Sequence, residues 1–450
     1  MDSTTSSDFP RPTRGWLLTL LLILLAALAL RLAFVYIAPP PENAIGDSAE
    51  FDLLASNLLA GHGLSYAPPW RPSARKTPLY PWLLAQTYRI FGYGAYTPLL
   101  TLQALLDALL AAMLAWLALL AWRNQRIGLL AAGLWAIYLP GAQLAARLLA
   151  DSLFTFLQLT GFLLFVMALR HPARGKRVAL CGLLSGLIFG LASLTRPTSM
   201  YIPLLLALAL AGWWAWRKKA GGIAAFPSSR LWTAALAMLL TLTITLTPWF
   251  VRNYRAFDQV VMGSTLVGFN FFQTHYRLDQ PDYWRLPGVR ASTDALHQAA
   301  ADAGLDLAAL NEAELFDFGM RRGLEMVKQY PARFLALAGL RMAQLWFNLG
   351  FTRHPSMSTL LFAAVNLGLL LLAVWAEWMA WRRRRLLFSP ERPLPWVIHV
   401  SAIAILLYYT ASHALVIAAG RYIIPAIPFL VILAAGAPWR WLRLKSTLRK

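Results

Sequence analysis

The sequence predicts an all-α protein that crosses a membrane many times. Three observations predict it. Hydrophobic residues make up 58% of the 450 residues, against about 45–50% in soluble domains. Charged residues make up 14%, where about 25% is usual. The apolar residues also fall into long runs, with mean hydropathy +0.53, and a spanning helix takes about 20 such residues. A small soluble enzyme and an ordinary nucleic-acid-binding domain are excluded first.

In chain order, residues 1–15 form a polar, Ser/Thr-rich N-terminal tail. The apolar run after it is too long for a signal-peptide core and has no clear small-residue cleavage site, so it is read as a retained first span. The expected spans are 16–38, 97–122, 127–140, 151–169, 177–195, 199–216, 231–250, 358–380, 394–412 and 422–438. The third is short. Stretches 78–92 and 333–350 are amphipathic or too short, and are placed at the membrane surface on the side of the large loops. If both count as spans the total is twelve, giving an expected bundle of about 10–12 helices. The domain reading is a tail at 1–15, an N-terminal transmembrane module at 16–250 with a first outer loop at 39–96, an outer-face region at 251–357, C-terminal spans at 358–438 and a basic tail at 439–450. Within the outer-face region, NEAELFDFGMRRGLEMVKQY reads as an amphipathic helix with Leu315, Phe318, Leu324 and Val327 on its apolar face. No internal repeat of fixed period is seen.

The net charge is +21, from 41 Lys and Arg against 20 Asp and Glu. Its placement argues against nucleic acid. With the N-terminus inside, the basic clusters (Arg11 and Arg14, Arg123 and Arg126, Arg170 to Arg177, Arg217 to Lys219, Arg382 to Arg385, Arg440 to Lys450) fall on the inner face, while the short outer loops carry Arg147, Arg196 and Arg421. That asymmetry orients a multi-pass protein with both termini cytoplasmic, beside anionic lipid. The single cysteine, Cys181, excludes an internal disulfide and a Cys-rich metal site.

Chemistry-bearing residues gather on the outer side. Asp47 and Ser48 stand where a helix N-cap would be, with Glu50 closing a capping box, ahead of an apolar face of Phe51, Leu54, Leu58 and Leu59. Capping is the plainer account of Asp47. Its position at the membrane rim, with Lys76 ahead of a Pro78-Leu79-Tyr80-Pro81 turn, gives a base and a cation suited to attack on a phosphate-bearing lipid. Asp151 likewise suits a cap with Ser152, and at the outer edge of a span would face Asp47. Arg196, Arg252 and Arg421 recur at span ends on the same side. Singly each is explained by snorkelling, but together they suit bidentate contact with phosphate. Within spans, Asp107 faces the bundle interior and Glu377 pairs near Arg382 to Arg385. His62 and His413 are outer-side candidates for acceptor contact. No HExxH, Walker loop, GxSxG or close His pair appears, so no metal is specified.

The order of these motifs resembles the GT-C superfamily of polyprenyl-phosphate-sugar-dependent glycosyltransferases, and most of all its family 39 group, which includes protein O-mannosyltransferases and aminoarabinose transferases acting on lipid A. The matching segments are GDSAEFDLLASNLLAGHGLSY, KTPLYPWLLA, LADSLFTFL, GLIFGLASLTRP, PWFVRNY with GSTLVGFNFF, and RYIIPAIPFLVILAAG, covering residues 46 to 436. The resemblance implies a GT-C-type bundle with outer-face juxtamembrane helices and a small periplasmic or extracellular loop domain, in the bacterial inner membrane. It implies Asp47 as catalytic base and Asp151 as a second acidic residue near donor or acceptor sugar. Glu50, Lys76, Tyr80, Arg196, Arg252, Arg421 and His62 complete the expected substrate contacts. Thr77 after Lys76 and Phe51 in place of a frequent Tyr depart from the pattern. The implied reaction is inverting sugar transfer from a polyprenyl-phosphate donor to a glycolipid, cell-envelope glycan or protein. No cofactor is required, and Asp47, Glu50 and Asp151 leave room for a divalent cation. A transporter or flippase of lipid-linked sugar is the alternative, sharing the arginines without needing Asp47 as a base. A non-catalytic assembly protein, binding a partner through 251–357, is a third.

Overall fold

Thr13 accepts a hydrogen bond from the Trp16 amide and so caps α1 (Arg14–Tyr36), whose apolar run then proceeds unbroken. The computed structural model describes residues 12–37, 46–170, 175–219, 228–307, 309–348, 356–382, 388 and 394–438, and among these there is no strand. The tail before residue 12, the Pro39 to Pro41 breaker, Arg174, Arg383 to Arg385, Arg392 and the basic tail from 439 lie outside the described residues.

After α1 come α2 (Asp47–Leu59), α3 (Leu79–Phe91), α4 (Thr97–Trp122), α5 (Gln125–Ala136), α6 (Leu139–Ala145), α7 (Asp151–Arg170) and α8 (Gly175–Ser193). A 3-10 turn at Pro197–Tyr201 leads into α9 (Ile202–Lys219) and α10 (Ser228–Phe257). The outer-face region holds α11 (Leu266–His275), α12 (Val289–Asp302), α13 (Glu312–Gln329) and α14 (Pro331–Phe347). The chain closes with α15 (Met357–Arg382), α16 (Leu394–Leu415), a 3-10 turn at Gly420–Ala426 and α17 (Ile427–Ala434). Among the described residues, seven helices are long and apolar enough to cross a membrane: α1, α4, α7, α8, α10, α15 and α16. The bent pair α5 and α6 makes an eighth candidate, and Pro197–Gly212 and Gly420–Ala434 are shorter apolar helices. All ten expected runs are therefore helical, but they are not equal. Stretches 78–92 and 333–350 are the short helices α3 and α14.

The 56° bend between α5 and α6 comes at Pro140, which cannot donate to the Ala136 carbonyl, and a distant side chain takes up the freed groups. Breaking a helix frees its last carbonyls. Arg31, fully buried in α1, donates to the carbonyls of Trp135 at 2.8 Å and Ala136 at 2.5 Å. Asp107 of α4 answers its charge at 2.7 Å. Asp107 thus does face the interior, paired rather than exposed to lipid. Glu377 pairs with Nδ1 of His399 at 2.7 Å and Arg382 lies over the Trp378 ring, while the expected pairing with Arg383 to Arg385 falls on residues outside those described.

Close packing rests on small residues. Ala104, Ala108, Ala111, Ala115 and Ala118 line one buried stripe of α4, which α1, α5 and α7 pack against. On α8, Gly182, Gly186 and Gly190 form a second stripe against α10. A Cβ at Gly186 would overlap the Met238 carbonyl, so only Gly admits this approach of the two backbones. In the outer-face region, Phe269, Phe272, Leu296, Ala300, Phe316 and Phe318 form a separate core. The buried face of α13 is Ala313, Phe316, Phe318, Gly319 and Gly323, while Leu324 is exposed. Of the expected face, Phe318 lies in this core and Leu315 packs against it, while the place expected for Leu324 is taken by Gly319 and Gly323, on which Phe272 and Phe271 of α11 pack. Arg341 fastens this region to the bundle, donating to the carbonyls of Thr274 at 2.9 Å and Ala414 at 3.3 Å and to Nε2 of His275 at 3.0 Å. Burial and the neighbouring guanidinium push His275 down to about 3, so it stays neutral and accepts.

Candidate functional site

Gly46 has φ +65°, a left-handed conformation that favours glycine, and it turns the chain so that Asp47 is the first residue of α2. Nothing caps that terminus with a side chain. Asp47 does not fold back on its helix, and Glu50 closes no capping box. Two cations outcompete a single amide: Oδ1 of Asp47 receives Nζ of Lys76 at 2.5 Å, and Oδ2 receives the Arg421 guanidinium. Glu50, one turn on, meets the same ammonium at 3.2 Å and Arg75 at 3.5 Å. The apolar face beneath is Phe51, Leu54 and Ala55, with Leu59 exposed.

Lys76 stands in the loop before α3. The expected turn at Pro78 to Pro81 is instead the first turn of that helix, with Pro78 as N-cap. Burial pushes the Lys76 ammonium below its ordinary range, and the Glu50 carboxylate pushes the other way. Asp151 opens α7 and ion-pairs with Arg196, which precedes the 3-10 turn at Pro197. It too is engaged across space rather than as a cap.

Tyr422 joins the two ion-paired groups. The guanidinium carbons of Arg196 and Arg421 lie 5.1 and 5.2 Å from its ring centroid, and the His413 ring stacks on it at 5.3 Å. Arg421 is presented by the 3-10 turn after α16, where Gly420 lies so close to Asn348 that a Cβ would overlap its side chain.

These groups line one cavity of about 1060 Å³, with Asp47, Glu50, Lys76, Asp151, Arg196 and Arg421 in its wall. Phe269, Phe316 and Met320 of the outer-face region form part of its lining too. Six of the nine expected site residues are thereby brought together, and three are not. Tyr80 is fully buried and donates to Oε1 of Gln103 at 2.7 Å. Gln103 in turn holds the carbonyls of Ala145 at 3.0 Å and Arg147 at 2.9 Å, just ahead of Asp151. His62 stacks on Trp70 at 3.9 Å, outside the lining. Arg252 donates to the Ser73 carbonyl at 2.9 Å and lies over Trp249. Sequence reasoning missed Arg75 and Tyr422, each next to a residue it chose.

Among the described residues no group of three or more His, Cys, Asp or Glu could hold a metal ion. The donor set explains why. Asp47, Glu50 and Asp151 each have a cationic side chain in contact, which a divalent ion would have to displace.

No protein-family model matches the sequence, and no curated protein matches it. Solved structures do match. The oligosaccharyltransferase AglB of the archaeon Archaeoglobus fulgidus, in complex with an inhibitory peptide and a dolichol-phosphate, aligns with 97% of this chain at 13% identity and a TM-score of 0.55. The same archaeon's oligosaccharyltransferase tethered to an acceptor peptide aligns with 97% at 13% identity and a TM-score of 0.57. This chain spans about half the length of these enzymes, 52% and 51% respectively. ArnT from Cupriavidus metallidurans, bound to undecaprenyl phosphate, aligns with 94% of this chain and 77% of its own at 15% identity, with a TM-score of 0.36 that carries no weight here. Over nearly its whole length this chain therefore shares the fold of the membrane part of the archaeal enzyme, an all-α bundle.

Proposed function

We propose that the protein is an integral-membrane inverting glycosyltransferase that moves a sugar from a polyprenyl-phosphate donor to an acceptor at the outer face of the membrane. One observation carries this reading: a carboxylate, Asp47, bridges an ammonium and a guanidinium in the wall of a cavity large enough for a sugar and a phosphate. Lys76 and Arg421 form an anion seat, and Asp47 occupies it when no phosphate is there. Arrival of the donor phosphate gives the two cations a stronger partner and leaves Asp47 free to face the acceptor. The acceptor O–H or N–H then loses its proton to Asp47 as its heteroatom bonds to the anomeric carbon. The bond from that carbon to the phosphate oxygen breaks, and the electron pair leaves with the lipid phosphate, whose charge Lys76, Arg421 and Arg196 stabilise. General-base help is worth roughly 10²–10⁴-fold, and positioning of the two substrates contributes more. No step is routed through a metal. The archaeal enzyme of like fold was captured with dolichol-phosphate, which supports the lipid-phosphate class.

The test uses full-length protein in nanodiscs, a panel of polyprenyl-phosphate sugars and a membrane extract as acceptor source, with free polyprenyl phosphate read by mass spectrometry. Wild type releases it from one donor and Asp47→Asn does not. Asp47→Asn also binds polyprenyl phosphate at least as tightly as wild type, because the competing carboxylate has gone. Release that survives in Asp47→Asn removes Asp47 as the base, and no release from any donor while the lipid still binds overturns the enzyme and favours the transporter.

A further inference from the structure

We infer that Glu312, in the outer-face region, is a positioning residue that fixes the Lys76 loop, and through it the ammonium of the anion seat. The inference rests on the functional reading only for its consequence in catalysis.

Glu312 is the first residue of α13, but it is not the cap. Asn311 and Glu314 form a complete capping box there, which leaves the Glu312 carboxylate to point across to another segment. It accepts from Oγ of Ser73 at 2.7 Å, the amide of Ala74 at 2.9 Å and Oγ1 of Thr265 at 2.6 Å. An ionised carboxylate only accepts, and three donors converge on this one. Two of them belong to the strip of chain just ahead of Lys76.

Every backbone polar group of residues 73 to 75 has a partner. The Ser73 amide donates to Leu64, and its carbonyl accepts from Arg252. The Ala74 amide goes to Glu312, and its carbonyl takes the Thr265 amide at 3.1 Å. The Arg75 amide donates to Oγ of Ser73, and its carbonyl accepts from Oγ of Ser264 at 2.6 Å. Three of these six bonds come from beyond the end of α10, at Ser264, Thr265 and Glu312. Ala74 is fully buried and Ser73 nearly so, so the Ala74 amide has no water to turn to if the carboxylate is lost. The next residue, Lys76, has a side chain only 12% exposed. It leaves this strip already aimed between Asp47 and Glu50. The loop's rigidity, and with it the lysine's aim, is thus supplied largely by the outer-face region, which also contributes part of the cavity lining.

Trace acylation by acetic anhydride tests this on full-length protein in nanodiscs, with the lysine-bearing peptides read by mass spectrometry. Lys328 is the internal reference, exposed on the same helix as Glu312. In Glu312→Gln, Lys76 acylates about tenfold faster relative to Lys328, the scale set by losing a hydrogen bond to a charged group. Glu312→Asp, which keeps the charge, returns most of the protection. Affinity for undecaprenyl phosphate falls in Glu312→Gln by about the same factor as in Lys76→Ala, and turnover at saturating donor changes less than KM. If the acylation ratio stays within about twofold of wild type while the melting temperature drops, Glu312 only stabilises and the inference is overturned. Should Glu312→Gln fail to fold, Thr265→Val, which removes a single donor, replaces it and gives a smaller change of the same sign. Acylation needs no lipid, so an absence of undecaprenyl phosphate binding in wild type sinks the functional reading while the labelling still decides the role of Glu312.

Discussion

The position of Lys76 makes a distinctive pH dependence. Burial holds its ammonium below the ordinary lysine range, so on raising the pH it loses its proton earlier than a solvated lysine does. Only the cationic form holds a phosphate. The dependence of kcat/KM reports groups of the free enzyme, and here it falls as pH rises through that lowered value, giving an alkaline limb that starts below the usual lysine titration. Arginine keeps its charge throughout the working pH range, so Lys76→Arg removes the limb while lowering the maximum rate, because the fork does not fit a point-charge seat. A limb unchanged in Lys76→Arg would assign it elsewhere. At this scale the sequence was legible for residue type and for position near helix ends, which is how Asp47, Lys76, Asp151, Arg196 and Arg421, all in the wall of one cavity, came to be chosen. It was misleading wherever a local rule competed with a distant partner. Asp47 and Asp151 both obey the pattern of a cap, and both are held instead by cations from other parts of the chain. Tyr80 was chosen for its place beside Lys76, yet its hydroxyl serves Gln103 and the turn ahead of Asp151.

Helices were read from apolar run length, and all ten runs are helical, seven of them long and apolar enough to cross a membrane, because burial in lipid demands helix of each run independently. Run length says nothing of bends or close approach. The carbonyls freed at the bend between α5 and α6 are satisfied by Arg31, more than a hundred residues away, and the α8 to α10 contact depends on glycines whose role appears only with Met238 opposite. That contact gives a sharp comparison. Gly186→Val forces a side chain into the Met238 carbonyl and lowers stability by about 1–3 kcal/mol or more, the usual range for overpacking. Gly212→Ala, where a Cβ meets nothing within 4 Å, is neutral or slightly stabilising. Thermal unfolding in one detergent, followed side by side, separates the two. Equal melting temperatures would mean that α8 and α10 stand further apart than the glycine stripe implies.

For the molecule as a whole, the contacts fix which chain ends meet. Asp47 follows α1, Asp151 opens α7, Arg196 follows α8 and Arg421 follows α16, and ion pairs or the Tyr422 ring join all four. Gln103, near the start of α4, reaches the carbonyls of Ala145 and Arg147. The start of α4 and the end of α6 therefore share one end of the bundle, and the bent pair carries the chain back across. With that crossing counted, successive helices bring every site residue to a single rim, which the proposed orientation, argued from the sparse positive charge of its short loops, puts outside. The proposed orientation, with both ends of the chain cytoplasmic in a bacterial inner membrane, is tested by replacing Cys181 with serine and adding one cysteine at Asp302 of α12 or at Arg126 of α5. A membrane-impermeant maleimide labels Asp302→Cys in intact, right-side-out vesicles and reaches Arg126→Cys only after the membrane is opened. The reverse pattern would put the anion seat on the cytoplasmic side. The basic clusters would then lie on the outer surface against the usual charge rule, and a donor carried on the outer leaflet would never meet Lys76 and Arg421.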